Sequence, residues 1–347
     1  MKERYDIVVT GVSAITPAGI GIGPLRTALV EQRSHLQPVP PDFAGGEGHL
    51  WGRAEGFKGS DYLPPLKARR FDRGSLFAIV SAGMALRDAR IDTSAVNAER
   101  IGIALGCGFG GIANSVEFLS GYFDKGSSGL VPMLFPNTVP NAPASNVSIE
   151  HGLKGPNITQ VQRFCSTESA FQMACRFLRE GRADVMLAGG VDDLNPSIID
   201  GFRSAGQLCS WGNGFGEGCG MLVLERLDYA EKRGARPIAA IGGIRTVGRL
   251  LPGREKEGLE KLCSNNVPGL VSFSGTAGLM EEFRERFPGI PAIDVAPVIG
   301  RSLAMGGTSL AFLAASLEPE QRGLHLAASP EGPYFAIETM GVAPVRS

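Results

Sequence analysis

The chain has 347 residues, 43% of them apolar and 20% charged, with a formal net charge of -1. That balance argues against nucleic-acid binding, which needs a concentrated basic face, and no run of about 18 apolar residues offers a membrane span. The opening MKERYDIVVTGVSA lacks the apolar core of a secretory signal, so the expected compartment is the cytoplasm. Tyr5 to Val12 reads as a buried strand, closed by the Thr16-Pro17-Ala18-Gly19 turn. Gly45 to Gly48 reads as a loop. Leu76 to Ala89 has Phe77, Val80 and Met84 at helical spacing. Arg100 to Leu105 is a strand running into glycines, and Ile112 to Phe123 a helix after them. Asn157 to Phe164 alternates like a strand, and Ser166 to Glu180 is a helix closed by Gly181. Val185 to Ala188, Met221 to Glu225 and Pro237 to Gly242 are further strands, while 249–266 and 318–323 read as surface connections. Strands alternating with helices predict an α/β fold of layered sheets.

Six cysteines stand at 107, 165, 175, 209, 219 and 263. They form no CxxC pair, and no histidine stands at metal-ligand spacing from them. Zinc and a disulfide framework are therefore not expected, and no cofactor is. Most of these thiols read as small core residues.

Six segments in order carry a resemblance. They are VVTGVSAITPAG (8–19), RRFDRGSLFAIVSAGMALRDA (69–89), RIGIALGCGFGG (100–111), GLKGPNIT (152–159), GRADVMLAGG (181–190) and GEGCGMLVLE (216–225). Together the chain resembles the β-ketoacyl synthases of the thiolase fold. The resemblance implies five αβαβα layers built from two pseudo-twofold halves, here 1–235 and a shortened 236–347. It also implies a dimer.

The same resemblance exposes losses. The family's nucleophilic cysteine lies seven residues beyond the GPN motif, which ends here at Asn157, so Phe164 stands in its place. Counting back from Gly181 reaches Phe164 again. A benzyl group cannot carry an acyl chain. Cys165 is the next residue, rotated by roughly 100° at a helix start; it reads as a buried core thiol or as a displaced nucleophile. The family's first catalytic histidine maps to Ser274 in SFSGTAG. Its lysine and second histidine map to Ala296 and Arg301 in APVIGR. Four histidines exist, at 35, 49, 151 and 325, and none falls in these motifs. His151 reads as a surface or interface residue. The family's Gly-rich oxyanion loop corresponds to Ala327–Phe335, which carries proline and glutamate, and the stretch from Leu208 to Gly214 is truncated.

A scaffold without its chemistry suggests a partner. The chain resembles the chain-length factors that pair with a catalytic ketosynthase and limit elongation on an acyl carrier protein. On the helix after Gly111, Ile112, Ser115 and Leu119 share one face; they would line the shared tunnel, pack the dimer, or both. Lys67, Arg69, Arg70 and Arg73 form a basic cluster, either a solvated face or a carrier-protein contact. Two rival readings remain: a divergent synthase or acyltransferase using Cys165, and a purely structural homodimer.

Overall fold

Among the described residues eleven strands form the main sheet of the computed structural model, ten of them along one path. It describes residues 5–40, 48–207, 211–212, 214–248, 255–263, 267–276, 279–329 and 332–343. In chain order the strands are β1 (Ile7–Thr16), β2 (Ile101–Cys107), β3 (Asn157–Gln160), β4 (Val185–Asp192), β5 (Gly218–Arg226), β6 (Ala239–Val247), β7 (Leu270–Gly275), β8 (Ala292–Ile293), β9 (Arg322–Ala328) and β10 (Tyr334–Gly341). Their spatial order is β8-β7-β9-β10-β6-β1-β5-β4-β2-β3. A two-residue strand, Gly19–Ile20, folds back on β1.

The sheet repeats itself about the β6–β1 pair. On one side β1–β5 and β5–β4 are antiparallel, while β4–β2 and β2–β3 are parallel. On the other side β6–β10 and β10–β9 are antiparallel, while β9–β7 and β7–β8 are parallel. Each half also places a helix between its third and fourth strands: Ser166–Arg179 in the first and Gly306–Ala314 in the second. These two helices meet each other between the half-sheets. Outer helices Arg73–Asp88 and Ala142–His151 cover the far face of the first half, and Glu255–Leu262 and Leu279–Arg286 pack on the second. The layers therefore run helix, sheet, helix, sheet, helix, as in the thiolase fold.

Composition explains the middle layers. β1, β2, β4 and β5 are buried along nearly their whole length, as strands covered on both faces must be. Helix Gly306–Ala314 approaches β4 and β5 backbone to backbone. A side chain at Gly307 would strike the Gly220 carbonyl and the Gly190 amide.

Several expectations need correction. The 157–164 strand stops at Gln160, and a 3-10 turn over Arg163–Cys165 takes its place before the helix. The 249–266 connection contains helix Glu255–Leu262, hidden by its mostly charged sequence, with Leu262 buried in the second-half core. The 318–323 connection gives way to β9 at Arg322. His151, expected at a surface or interface, is half-buried. Its Nε2 lies 2.9 Å from the Ile79 carbonyl, and burial holds its imidazole below the usual histidine range. Residues 45–47, 208–210 and 213 lie outside the described residues, as do 249–254, 264–266, 277–278 and 330–331. Cys107, Cys165, Cys175 and Cys219 are buried, and Cys263 is half-buried.

The basic cluster divides. Lys67 is exposed and pairs with Glu150 at 2.5 Å. Arg73 is structural: its guanidinium bonds the fully buried Glu217 at 2.6 Å and lies 4.8 Å from the Phe77 ring centroid. Removing one partner of such a pair strands a buried charge, whereas exposed pairs contribute little. Arg73→Met is expected to cost about 3 kcal/mol in urea unfolding, and Lys67→Ala less than about 1 kcal/mol. Similar costs for both would show that the Arg73–Glu217 pair does not hold this corner.

Candidate functional site

β3 delivers the chain to the turn at Arg163–Cys165, which opens helix Ser166–Arg179. Helix starts of this kind concentrate positive electrostatic potential on whatever side chain sits there. Here that side chain is Phe164, only 2% exposed. Its ring meets Trp211 edge-on at 5.4 Å and Phe202 at 6.4 Å. Trp211 continues the stack to Phe215 at 5.1 Å, and Val39, Trp51, Ile199 and Leu303 close the cluster. The turn that could present a nucleophile instead feeds an aromatic core.

Cys165 points the other way. It is fully buried with Ala327 and Phe335, and its thiol donates to the Pro333 carbonyl at 3.2 Å. Burial, with the Glu168 carboxylate second, pushes its pKa well above the ordinary thiol value. A neutral, enclosed thiol is a poor nucleophile.

Ser274 and Arg301 meet around Gly275. Arg301 Nη1 donates to the Gly275 carbonyl, and burial lowers the guanidinium pKa, opposed by Asp294. Ala296 is buried in a separate apolar cluster with Leu25 and Phe312. Ser274 instead joins a network that the sequence did not reveal. Its hydroxyl donates to Glu168 Oε1 at 2.5 Å, and His325 Nε2 lies 2.9 Å from the same oxygen. Ser272 Oγ lies 2.8 Å from His325 Nδ1. The Ser274 hydroxyl and one imidazole nitrogen thus converge on a single carboxyl oxygen, with Ser272 on the other ring nitrogen. All four side chains are buried. A side chain at Gly306 would strike the Glu168 carboxylate, so the carboxylate sits against the first turn of helix Gly306–Ala314. The available signals were one glutamate in the first turn of a buried helix and one histidine in the apolar strand RGLHLAA.

A second buried acid staples two loops. Asp192 accepts from the Gly108 amide at 2.7 Å and from the Ala304 amide at 2.6 Å. Burial holds Asp192 up at about 6. Burial, then the charges of Asp72, Glu217 and Asp192, hold Asp193 up at about 7.

The three residues expected on one helical face separate in role. Helix Ile112–Lys125 has no buried residue. Ile112 lines a cavity of about 210 Å³ with Phe109, Arg163, Ile198 and Phe202. Ser115 turns inward, its hydroxyl donating to the Gly111 and Thr138 carbonyls at 3.0 and 2.9 Å. Leu119 is 50% exposed, on a surface shared with Val116, Tyr122 and Phe123. Phe135, Ile149 and Val161 are further exposed apolar residues, the last just beyond edge strand β3.

The Asp193 shift sets a pH dependence. Its folded pKa of about 7 exceeds the unfolded value of about 3.9. The folded chain therefore holds the extra proton between these values, and stability falls as pH rises through that window. Asp193→Asn is expected to add about 1–3 kcal/mol at pH 8, discounted for residual exposure, and little at pH 4. The check is the difference in chemical-denaturation stability at the two pH values. An equal effect at both would dismiss the titration.

Comparison with known proteins agrees with this architecture. The family described as β-ketoacyl synthase, N-terminal domain, matches residues 4–230. The 3-oxoacyl-[acyl-carrier-protein] synthase 2 of Staphylococcus aureus strain MRSA252 is 30% identical over 265 residues, covering 72% of this chain and 64% of that enzyme. The Synechocystis enzyme of the same name is 31% identical over 253 residues, covering 67% and 61%. The chain thus spans less than two thirds of these relatives. Among solved structures, the type II polyketide acyl-carrier protein–ketosynthase complex AntDE:AntF matches with a TM-score of 0.83 at 21% identity, covering 98% of this chain and 100% of that one. The ishigamide ketosynthase/chain length factor matches at 0.80 and 20% identity, covering 97% and 100%. The chain belongs to the β-ketoacyl synthase family.

Proposed function

We propose that this member of the β-ketoacyl synthase family is a non-catalytic chain-length factor. It pairs with a catalytic ketosynthase and shapes the tunnel in which that partner extends chains on an acyl carrier protein. Residues 1–235 and 236–347 are its two halves. The observation that carries the reading is Phe164: the nucleophile's position is occupied by a buried ring locked against Trp211 and Phe202. Ser274, Ala296 and Arg301 remove the remaining acid–base groups, and each is engaged in packing or hydrogen bonding elsewhere. Cys165 does not rescue an enzyme reading, since its thiol is enclosed and held neutral.

The partner is supported by the surface around helix Ile112–Lys125. Val116, Leu119, Tyr122 and Phe123 stand exposed there, Phe123 at 79%. A cluster of exposed apolar side chains on one helix marks an interaction site. The catalytic relatives and the ketosynthase/chain length factor structure support a ketosynthase as occupant over a second copy of this chain. Ile112 sits where this surface meets the cavity, so its volume would limit chain growth; Leu119 would serve the pairing itself.

Co-expression with an intact ketosynthase should yield a 1:1 complex in sedimentation analysis. Leu119→Arg should weaken that complex roughly 30-fold, about 2 kcal/mol, with little effect on the isolated fold. Ile112→Trp should leave the complex intact and shorten its products. A monodisperse monomer indifferent to the ketosynthase would overturn the reading, and unchanged product lengths would remove Ile112 from it.

A further inference from the structure

Asp193 sits at a hinge. β4 ends at Asp192, and only residues 193–195 separate it from helix Pro196–Ser204. The chain is pinned on both sides of Asp193: Asp192 holds the Gly108 and Ala304 amides, and the Leu194 amide donates to Glu217 Oε2 at 3.1 Å. The helix beyond is lightly held. Of its nine residues only Ile199 and Phe202 are buried, while Ser197, Ile198, Gly201 and Phe202 form one wall of the cavity beside Ile112. Elements with so few buried contacts are the ones that open locally while the fold stays intact.

Like charges crowd the hinge. The half-buried Asp193 carboxyl lies over Gly74, in the first turn of helix Arg73–Asp88, where an added Cβ would stand 3.3 Å from Oδ1. Asp72 caps that helix, accepting from the Ser75 amide at 2.7 Å. Glu217 faces Asp193 from just before β5, and Asp192 from β4. Arg73 is turned toward Glu217 and the Ala54 carbonyl. Burial, then the Asp192 charge, keeps the Cys107 thiol on β2 neutral beside them. On the helix itself, Asp200 and Arg203 pair with each other at the surface, and Arg163 lies over the Phe202 ring.

We propose that Asp193 is a proton-operated latch on helix Pro196–Ser204: its neutral carboxyl lets the hinge close against helix Arg73–Asp88, and its ionised form releases the helix from the cavity wall. Release relieves repulsion among the carboxylates, because water and salt screen a charge that has moved outward. The device makes the cavity wall sensitive to pH, and it does not depend on the chain-length reading.

Hydrogen exchange of the full chain, read by mass spectrometry from about pH 5 to about pH 8 and corrected for intrinsic amide rates, tests the latch. One proton linked to opening raises the opening constant by up to about tenfold per pH unit, levelling off above about 7. That rise should appear in peptides covering residues 196–205 and be missing from those of β1 and β5. Asp193→Asn, which keeps the shape and cannot ionise, should flatten the profile and slow exchange of the helix by roughly tenfold or more near pH 8. Asp72→Asn keeps a good helix cap but removes one repelling charge, so it should move the levelling point to lower pH; it also serves if Asp193→Asn fails to fold. A flat profile in the folded wild type, the same rise in folded Asp193→Asn, or an unmoved levelling point in Asp72→Asn would overturn the proposal. A rise shared by β1 and β5 would also overturn it, by assigning the effect to global unfolding.

Discussion

The arrangement turns on a single packing contact, the ring of Phe164 against Trp211 and Phe202. A strand that turns abruptly into a helix can hold a reactive side chain at the helix's positive end. Filling that position with a benzyl group converts the turn into a core element. Burial of one such side chain contributes about 1.5–3 kcal/mol, and edge-on aromatic contacts add roughly 0.5–1.5 kcal/mol each. The cluster also joins Leu303 to Phe215 and Trp51, so it connects the loop before helix Gly306–Ala314 with the small sheet of residues 37–38, 50–52 and 214–216. What could have been an open site is a stabilising junction.

The polar groups nearby have been reorganised along with it. Glu168, Ser272, Ser274 and His325 form a closed set that links the elbow helix to β7 and β9. Glu168 Oε2 has no hydrogen-bond partner among the described residues. An unpartnered buried carboxyl group is unfavourable, and the histidine and serine beside it offset that cost. The same network engages Ser274, the residue expected from the family resemblance at a catalytic base's position. Family membership alone does not decide the question, because the related 3-oxoacyl synthases share the scaffold.

Much of the fold was legible because strand and helix periods recur in motif order. Two counts along the sequence reached Phe164, and the fold places that residue at the turn into helix Ser166–Arg179. The aromatic cluster was harder: Phe164, Phe202, Trp211 and Phe215 are separated by turns and helices, and only the tertiary fold brings them together. His325 was missed for the same reason, lying 157 positions from Glu168 in the chain. Arg73 was misjudged because a run of basic residues looks like a solvated face, whereas Glu217, its counter-charge, is 144 positions away. Helix Glu255–Leu262 was hidden by charge-rich sequence with too few apolar positions to set a period. Long-range partners, rather than local propensities, account for these failures.

The most direct test of an inert partner is where an acyl group lands. The purified pair would be incubated with acyl thioester, separated under denaturing conditions, and each subunit weighed by intact-mass spectrometry. An inert chain predicts one acyl adduct on the ketosynthase and none on the subunit carrying Phe164. An acylated peptide containing Cys165 would contradict it.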